Sequence, residues 1–258
     1  MAFDVRLRTL ASGSSVRQSL PLELFATKGI RPASSLESAP KAPSRPCDWA
    51  ELDGLLPDGG LPHAVVEIVA APATEQELWT GATAVATAAV RAAQGRDARA
   101  WCAWIDAKGT LYAPGLLRAG VDLARLLVVR PPPELLARVA VKVASSGAFD
   151  VLVAEIDRAE AARAKRTAAL VRKLALAAEQ HGTTIVLLSS PHASPWPVAL
   201  RLEVARTMAG LSLRITKERH GRLALAKTAI PIAPPTGTAR SSEARVRTGT
   251  STGDTRSA

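Results

Sequence analysis

The sequence predicts an α/β protein: a doubly wound, mostly parallel sheet flanked by helices, with antiparallel strands toward the C-terminus. Three observations predict it. Apolar runs at 64–70, 100–106, 125–130, 150–156 and 183–189 are short, rich in Val, Ile and Leu, and nearly unbroken. Strands buried on both faces of a parallel sheet read this way. Stretches with apolar residues at helical spacing separate most of them, and after residue 198 the period changes to two, the mark of strands with one solvated face.

The elements follow in order. Residues 1–46 are rich in Ser, Pro, Ala and scattered Arg, interrupted by a short amphipathic piece from Leu20 to Phe25. Pro32, Pro40, Pro43 and Pro46 give 30–46 the character of a linker. A folded core is expected over 47–230. Within it, 75–94 places Leu78, Ala82, Val85 and Ala89 on one helical face. Residues 133–146 do the same with Leu135, Val139 and Val143, and 159–181 with Leu170, Leu174 and Ala178. Later, Leu200, Leu202 and Val204 alternate with Arg201 and Glu203, and Leu211, Leu213 and Ile215 alternate with Ser212, Arg214 and Thr216, the pattern ending at Leu223 and Leu225. Residues 231–258 hold almost no apolar side chains and read as a disordered tail. No internal repeat is visible.

Composition narrows the function classes. A chain of 258 residues, 47% of them hydrophobic, suffices for one sizeable core plus tails. The net charge of +10 suggests contact with nucleic acid or an acidic partner and says nothing about fold. Residues 47–230 hold 22 basic against 18 acidic side chains, so much of the excess lies in the ends. Cys47 and Cys102 lack metal-ligand spacing, and so few cysteines fit a reducing cytosol. A cytoplasmic location is expected, with no membrane partner: no apolar stretch approaches the ~20 residues a bilayer span needs, and no signal-peptide pattern opens the chain. His63, His181, His192 and His220 are scattered without metal spacing. Trp101 and Trp104 lie in or beside an apolar run and read as packing residues. No G-x-S-x-G elbow surrounds Ser189 and Ser190, so a hydrolase reading is weak.

The most informative stretch runs from Val65 to Thr80: an apolar strand, a short loop and a helix start. A phosphate-binding loop would stand here as G-x-x-x-x-G-K-[ST]. The chain instead has Ala70 and Glu75 at the glycine positions, Gln76 for the lysine and Glu77 for the hydroxyl. Phosphates bind at helix N-termini because free N–H groups and the helix dipole favour anions. Thr74 and Glu77 form a capping-box pattern that would occupy those donors. Glu75 and Glu77 add negative charge where a nucleotide brings its own, and like charges ~4 Å apart repel by ~1 kcal/mol even in water.

The order of strands and punctuation resembles the RecA-like recombinase core over roughly residues 50–228. Leu52-Asp53-Gly54 through Gly59-Gly60-Leu61-Pro62 is similar to that family's lead-in to the phosphate-loop strand. Cys102-Ala103-Trp104-Ile105-Asp106-Ala107 resembles its second strand, Gly120 to Leu127 its next turn and strand, and Phe149 to Val153 its Walker B strand. The resemblance puts the water-activating glutamate at Lys108, the Walker B aspartate near Glu155 and the nucleotide-sensing glutamine near Ser190. Lys217 and Arg219 resemble the basic pair that reaches a neighbouring subunit's nucleotide. With these positions replaced, the resemblance implies no cofactor and no catalysis.

A RecA-like core with an eroded phosphate loop is the pattern of the ImuA family. That resemblance implies an accessory role in the DNA damage (SOS) response and error-prone translesion synthesis. The implied partners are RecA, a polymerase-like ImuB-type protein and an error-prone replicative polymerase alpha subunit. Arg163, Lys165, Arg166, Arg172 and Lys173 lie on one predicted helix with no acid between 161 and 178, a candidate surface for DNA or a partner. Trp196, in a short Pro-flanked loop, is a candidate for base stacking or protein contact. Three alternatives stay open: a DNA-binding recombination mediator, a SulA-like division inhibitor, and an unorthodox ATPase using Glu155 and Lys217.

Overall fold

The computed structural model describes residues 43–70, 78–156, 164–191, 196–207, 210–219 and 228–230. Residues 1–42 and 231–258 of the expected tails, and Leu223 and Leu225, lie outside them. The architecture is the expected RecA-like one: a mostly parallel sheet flanked by helices, with antiparallel strands at the C-terminal end.

The chain enters through β1 (Ser44–Arg45), α1 (Ala50–Leu55) and β2 (Leu61–Pro62). β1 pairs antiparallel with β2, so the Pro-rich segment joins the folded unit before residue 47. Among the described residues the main sheet has eight strands. They are β3 (Val65–Ala70), β4 (Cys102–Ile105), β5 (Leu126–Val129), β6 (Val151–Ile156), β7 (Thr184–Ser189), β8 (Leu200–Thr207), β9 (Gly210–Glu218) and β10 (Thr228–Ile230). Their spatial order is β10-β9-β8-β3-β7-β6-β4-β5. From β8 to β5 all neighbours run parallel; β8, β9 and β10 form an antiparallel extension.

The unbroken apolar runs have a packing cause. Along β3 and β7, successive side chains alternate between two cores. Val66, Ile68, Val186 and Leu188 face the first, and Val65, Ile185 and Leu187 face the second. Helices α1, α2 (Leu78–Arg96) and α3 (Ala113–Arg118) cover the first core; α4 (Leu136–Ala144) and α5 (Ala164–His181) cover the second. With both faces covered, both parities of these strands are predominantly apolar, Glu67 being the charged exception in β3. In β8 only Leu200, Leu202 and Val204 are buried, so the strand alternates as its sequence does. Gly81 lets α2 lie close on β8, since a Cβ there would stand 2.7 Å from Val204 Cγ1. The helix expected over 133–146 begins as a 3-10 turn at Pro133–Leu135 and becomes α-helical only at Leu136, as the preceding prolines dictate.

Candidate functional site

Four adjacent strands bring Ala70, Lys108, Glu155 and Ser190 to the C-terminal edge of the sheet. Val69 pairs with Ser189, Ser189 with Ile156, and Ala154 with Ile105. Ala70 ends β3 and is buried. Ser190 follows β7 half-buried, Glu155 stands on β6, and Lys108 is exposed in the turn after β4. Thr74, Glu75, Gln76 and Glu77 lie outside the described residues, and the capping-box expectation with them.

The chemistry of that edge is internal. Burial pushes the Glu155 carboxyl above its ordinary value, the Lys108 charge pulls it back, and Asp106 adds to the rise. The lysine that stands where the resemblance expects a catalytic base is thus close enough to Glu155 to act as its counter-charge. Asp106, fully buried, accepts the N–H groups of Thr110 at 2.9 Å and Leu111 at 3.2 Å. It also accepts Arg130 Nε at 3.1 Å. Gly109, at φ +68°, supplies the left-handed residue this turn requires. On β3, three strand spacings from β4, Glu67 is fully buried and accepts the Ser189 hydroxyl at 2.7 Å. Its other oxygen lies 3.4 Å from Arg201 Nε.

Sequence reasoning missed Glu67, Arg130 and Arg201, and gave Asp106 no role. Glu67 had a signal: it is the sole charged residue in Val65–Ala70, and a charge in a doubly buried strand needs a partner.

The remaining positions are dispersed. Trp196 is 1% exposed and packs in the second core beside Leu170, Leu174 and Val198. This corrects the expectation of a stacking or contact surface, because a ring sealed by α5 has no face to offer. Lys217 Nζ donates to the Trp196 carbonyl at 2.6 Å, pinning the loop rather than reaching outward. Arg219 lies at the opposite, N-terminal end of the sheet, where it pairs with Glu179 at 3.1 Å. A cavity of about 470 Å³ opens there, lined in part by His63, Asp58, Glu218 and Arg219. Burial, aided by the Arg45 charge, pushes the His63 imidazole below its ordinary value. Cys47 and Cys102 are buried free thiols; burial pushes Cys102 up to about 12, far from a reactive thiolate. Trp104 is core, whereas Trp101 is half exposed at the sheet rim.

Of the basic helix, Arg163 lies outside the described residues and Lys165 within α5, while Arg166, Arg172 and Lys173 are all exposed. Among the described residues, no cluster of His, Cys, Asp and Glu could hold a metal ion, and no helix is long and apolar enough to cross a membrane.

No model of a known protein family matches the chain. Two proteins from strains of Caulobacter vibrioides, each named Protein ImuA, are 32% identical to it over 101 residues. The match covers 38% of this chain, and the chain spans 41% of the length of those relatives.

Proposed function

We propose that this chain is a non-catalytic RecA-like accessory protein of the DNA damage response, acting in error-prone translesion synthesis through protein contacts. The observation that carries this reading is the C-terminal edge of the sheet. On a RecA-like scaffold, Lys108 stands exposed in the turn after β4, where the resemblance expects a water-activating carboxylate. A lysine side chain does not supply the carboxylate that such a base requires. The partial similarity to proteins named ImuA supports a place in damage-induced mutagenesis. The proposed partners are RecA and the two polymerase-related proteins that the resemblance implies, with DNA as a further candidate.

RecA-type filaments grow because each subunit offers two complementary faces. A subunit that keeps one face and lacks nucleotide at the other caps a growing filament. The purified chain is therefore expected to bind RecA and to slow filament growth and strand exchange at substoichiometric ratios. Unchanged growth, unchanged exchange and no detectable RecA binding together overturn the proposal.

The ATPase alternative asks Glu155 and Lys217 to work together. They lie on β6 and β9, four strand spacings apart, or about 19 Å at ~4.8 Å per spacing, too far to share one nucleotide within a subunit. Millimolar ATP is expected to leave the melting temperature unchanged; a rise would restore the alternative.

A further inference from the structure

We infer that the groove between α4 and α5 is a docking site for an acidic amphipathic segment of a partner protein. The groove encloses about 420 Å³. Ala137 and Val141 of α4, with Ala169 and Leu170 of α5, form its apolar floor; Arg138, Arg166 and Lys173 stand exposed at its rim. Leu176, 58% exposed, is one heptad beyond Ala169 on the same helix, so it continues the apolar stripe along α5.

Charge singles this surface out. Neither α4 nor α5 as far as Ala178 contains an acidic residue, yet together they carry Arg138, Lys142, Lys165, Arg166, Arg172 and Lys173. Several arginines elsewhere are paired: Arg45 with Asp150, Arg125 with Asp122, Arg201 with Glu67, Arg219 with Glu179. Among the described residues, Arg138, Arg166 and Lys173 have no such partner. Carboxylates from outside complement them.

The floor decides between protein and nucleic acid. A phosphate backbone is held by cations and polar donors, and single strands add aromatic platforms on which bases stack. This floor is aliphatic, without a ring, and the nearby Trp196 is sealed in the core. An aliphatic trough flanked by cations instead suits a helix with apolar residues at i, i+3/i+4 and i+7, flanked by Asp and Glu. The trough holds the apolar stripe and the rim cations steer and orient it.

The test uses the full chain and a fluorescein-labelled acidic helix of about 18 residues, long enough to hold its conformation, with Leu on one stripe and Glu elsewhere. A scrambled peptide of identical composition, and single- and double-stranded DNA, are the comparison probes. Fluorescence anisotropy is expected to show the helix binding at least about tenfold more tightly than the scrambled peptide, with DNA failing to displace it from the floor. Ala169→Trp fills the trough and keeps every charge; because Ala169 is exposed, the fold tolerates it. It should weaken the helix about tenfold or more, a loss of the size seen when a central contact is removed. Arg166→Glu with Lys173→Glu should weaken it similarly and flatten its salt dependence. Equal binding of helical and scrambled peptides, no binding of either, or indifference to Ala169→Trp overturns the proposal. DNA binding that is abolished by the charge reversal, with peptide binding absent, overturns it in favour of a nucleic-acid surface.

Discussion

At the C-terminal edge of the sheet the buried carboxylates are met from within the fold, whereas along the α4–α5 groove the cations face outward with no acid on either helix to answer them. Glu67 is held by Ser189 and Arg201, and Asp106 by two backbone N–H groups and Arg130. In the groove, Arg138, Arg166 and Lys173 ring an apolar floor. A charge that the fold has already neutralised maintains structure and is costly to remove. A charge left exposed beside apolar surface adds little to stability and is available to a partner. The region where the RecA-like resemblance places a nucleotide site is thus held by internal pairs, and the helix pair behind the sheet carries exposed cations without ion pairs among the described residues.

The largest test of the comparison is Glu67→Ala. It leaves the Arg201 guanidinium and the Ser189 hydroxyl facing a buried void, and breaking a buried pair from one side costs roughly 3 kcal/mol. Urea unfolding should show that loss, and Glu67→Met with Arg201→Met should recover most of it, since an apolar pair needs no counter-charge. A cost under about 0.5 kcal/mol for the single change would mean that the pair is solvated and that the two regions do not differ as drawn. Asp106→Ala comes next, at about 2 kcal/mol, because two backbone donors and Arg130 lose one charged acceptor. Arg130 is itself largely exposed, so Arg130→Ala should cost less than Asp106→Ala.

Much of this arrangement was legible beforehand, and the part that was not has physical reasons. The inner parallel strands β3, β4, β6 and β7 announced themselves because their neighbours and helices bury both parities, which favours apolar residues at nearly every position. The hairpin of β8 and β9 announced itself by alternation. α1 and α3 did not, since six residues complete less than two turns and show no period. The separation of Glu155 from Lys217 was not legible because chain order does not give sheet order: the crossovers put β7, β3 and β8 between their strands. Trp196, between prolines, read as a corner open to solvent; its burial is decided by the apolar face of α5, a tertiary fact. The acid-free run on α5 could be read directly, but not the groove, which exists only because α4 packs beside it.

A smaller effect probes the edge through pH. Burial raises the Glu155 carboxyl in the folded state, so its charged form is disfavoured there. The contribution of this group is fully present below its unfolded value and is lost as pH rises through its folded one. Glu155→Gln, neutral at every pH, should therefore match the parent below the ordinary carboxylate range and gain on it as pH rises from there to the raised folded value. Lys108→Ala should act in the opposite direction, removing the charge that now restrains the rise. Thermal melts across that range decide the matter; a stability difference independent of pH would show that Glu155 is solvated.

The smallest effect is expected where charge is most abundant. Arg166→Glu with Lys173→Glu reverses two exposed cations that have no ion pair among the described residues. Surface changes of this kind alter stability by no more than about 0.5 kcal/mol. Here relief of repulsion along α5 should place the change on the stabilising side, because Lys165, Arg166, Arg172 and Lys173 share one helix with no acid before Glu179. A loss above about 1 kcal/mol would mean that these cations do hold the fold, and the contrast between the two regions would fail at its second term. If the melt is unchanged or raised while partner binding falls, the cations belong to what the helix pair meets and not to what it is built from.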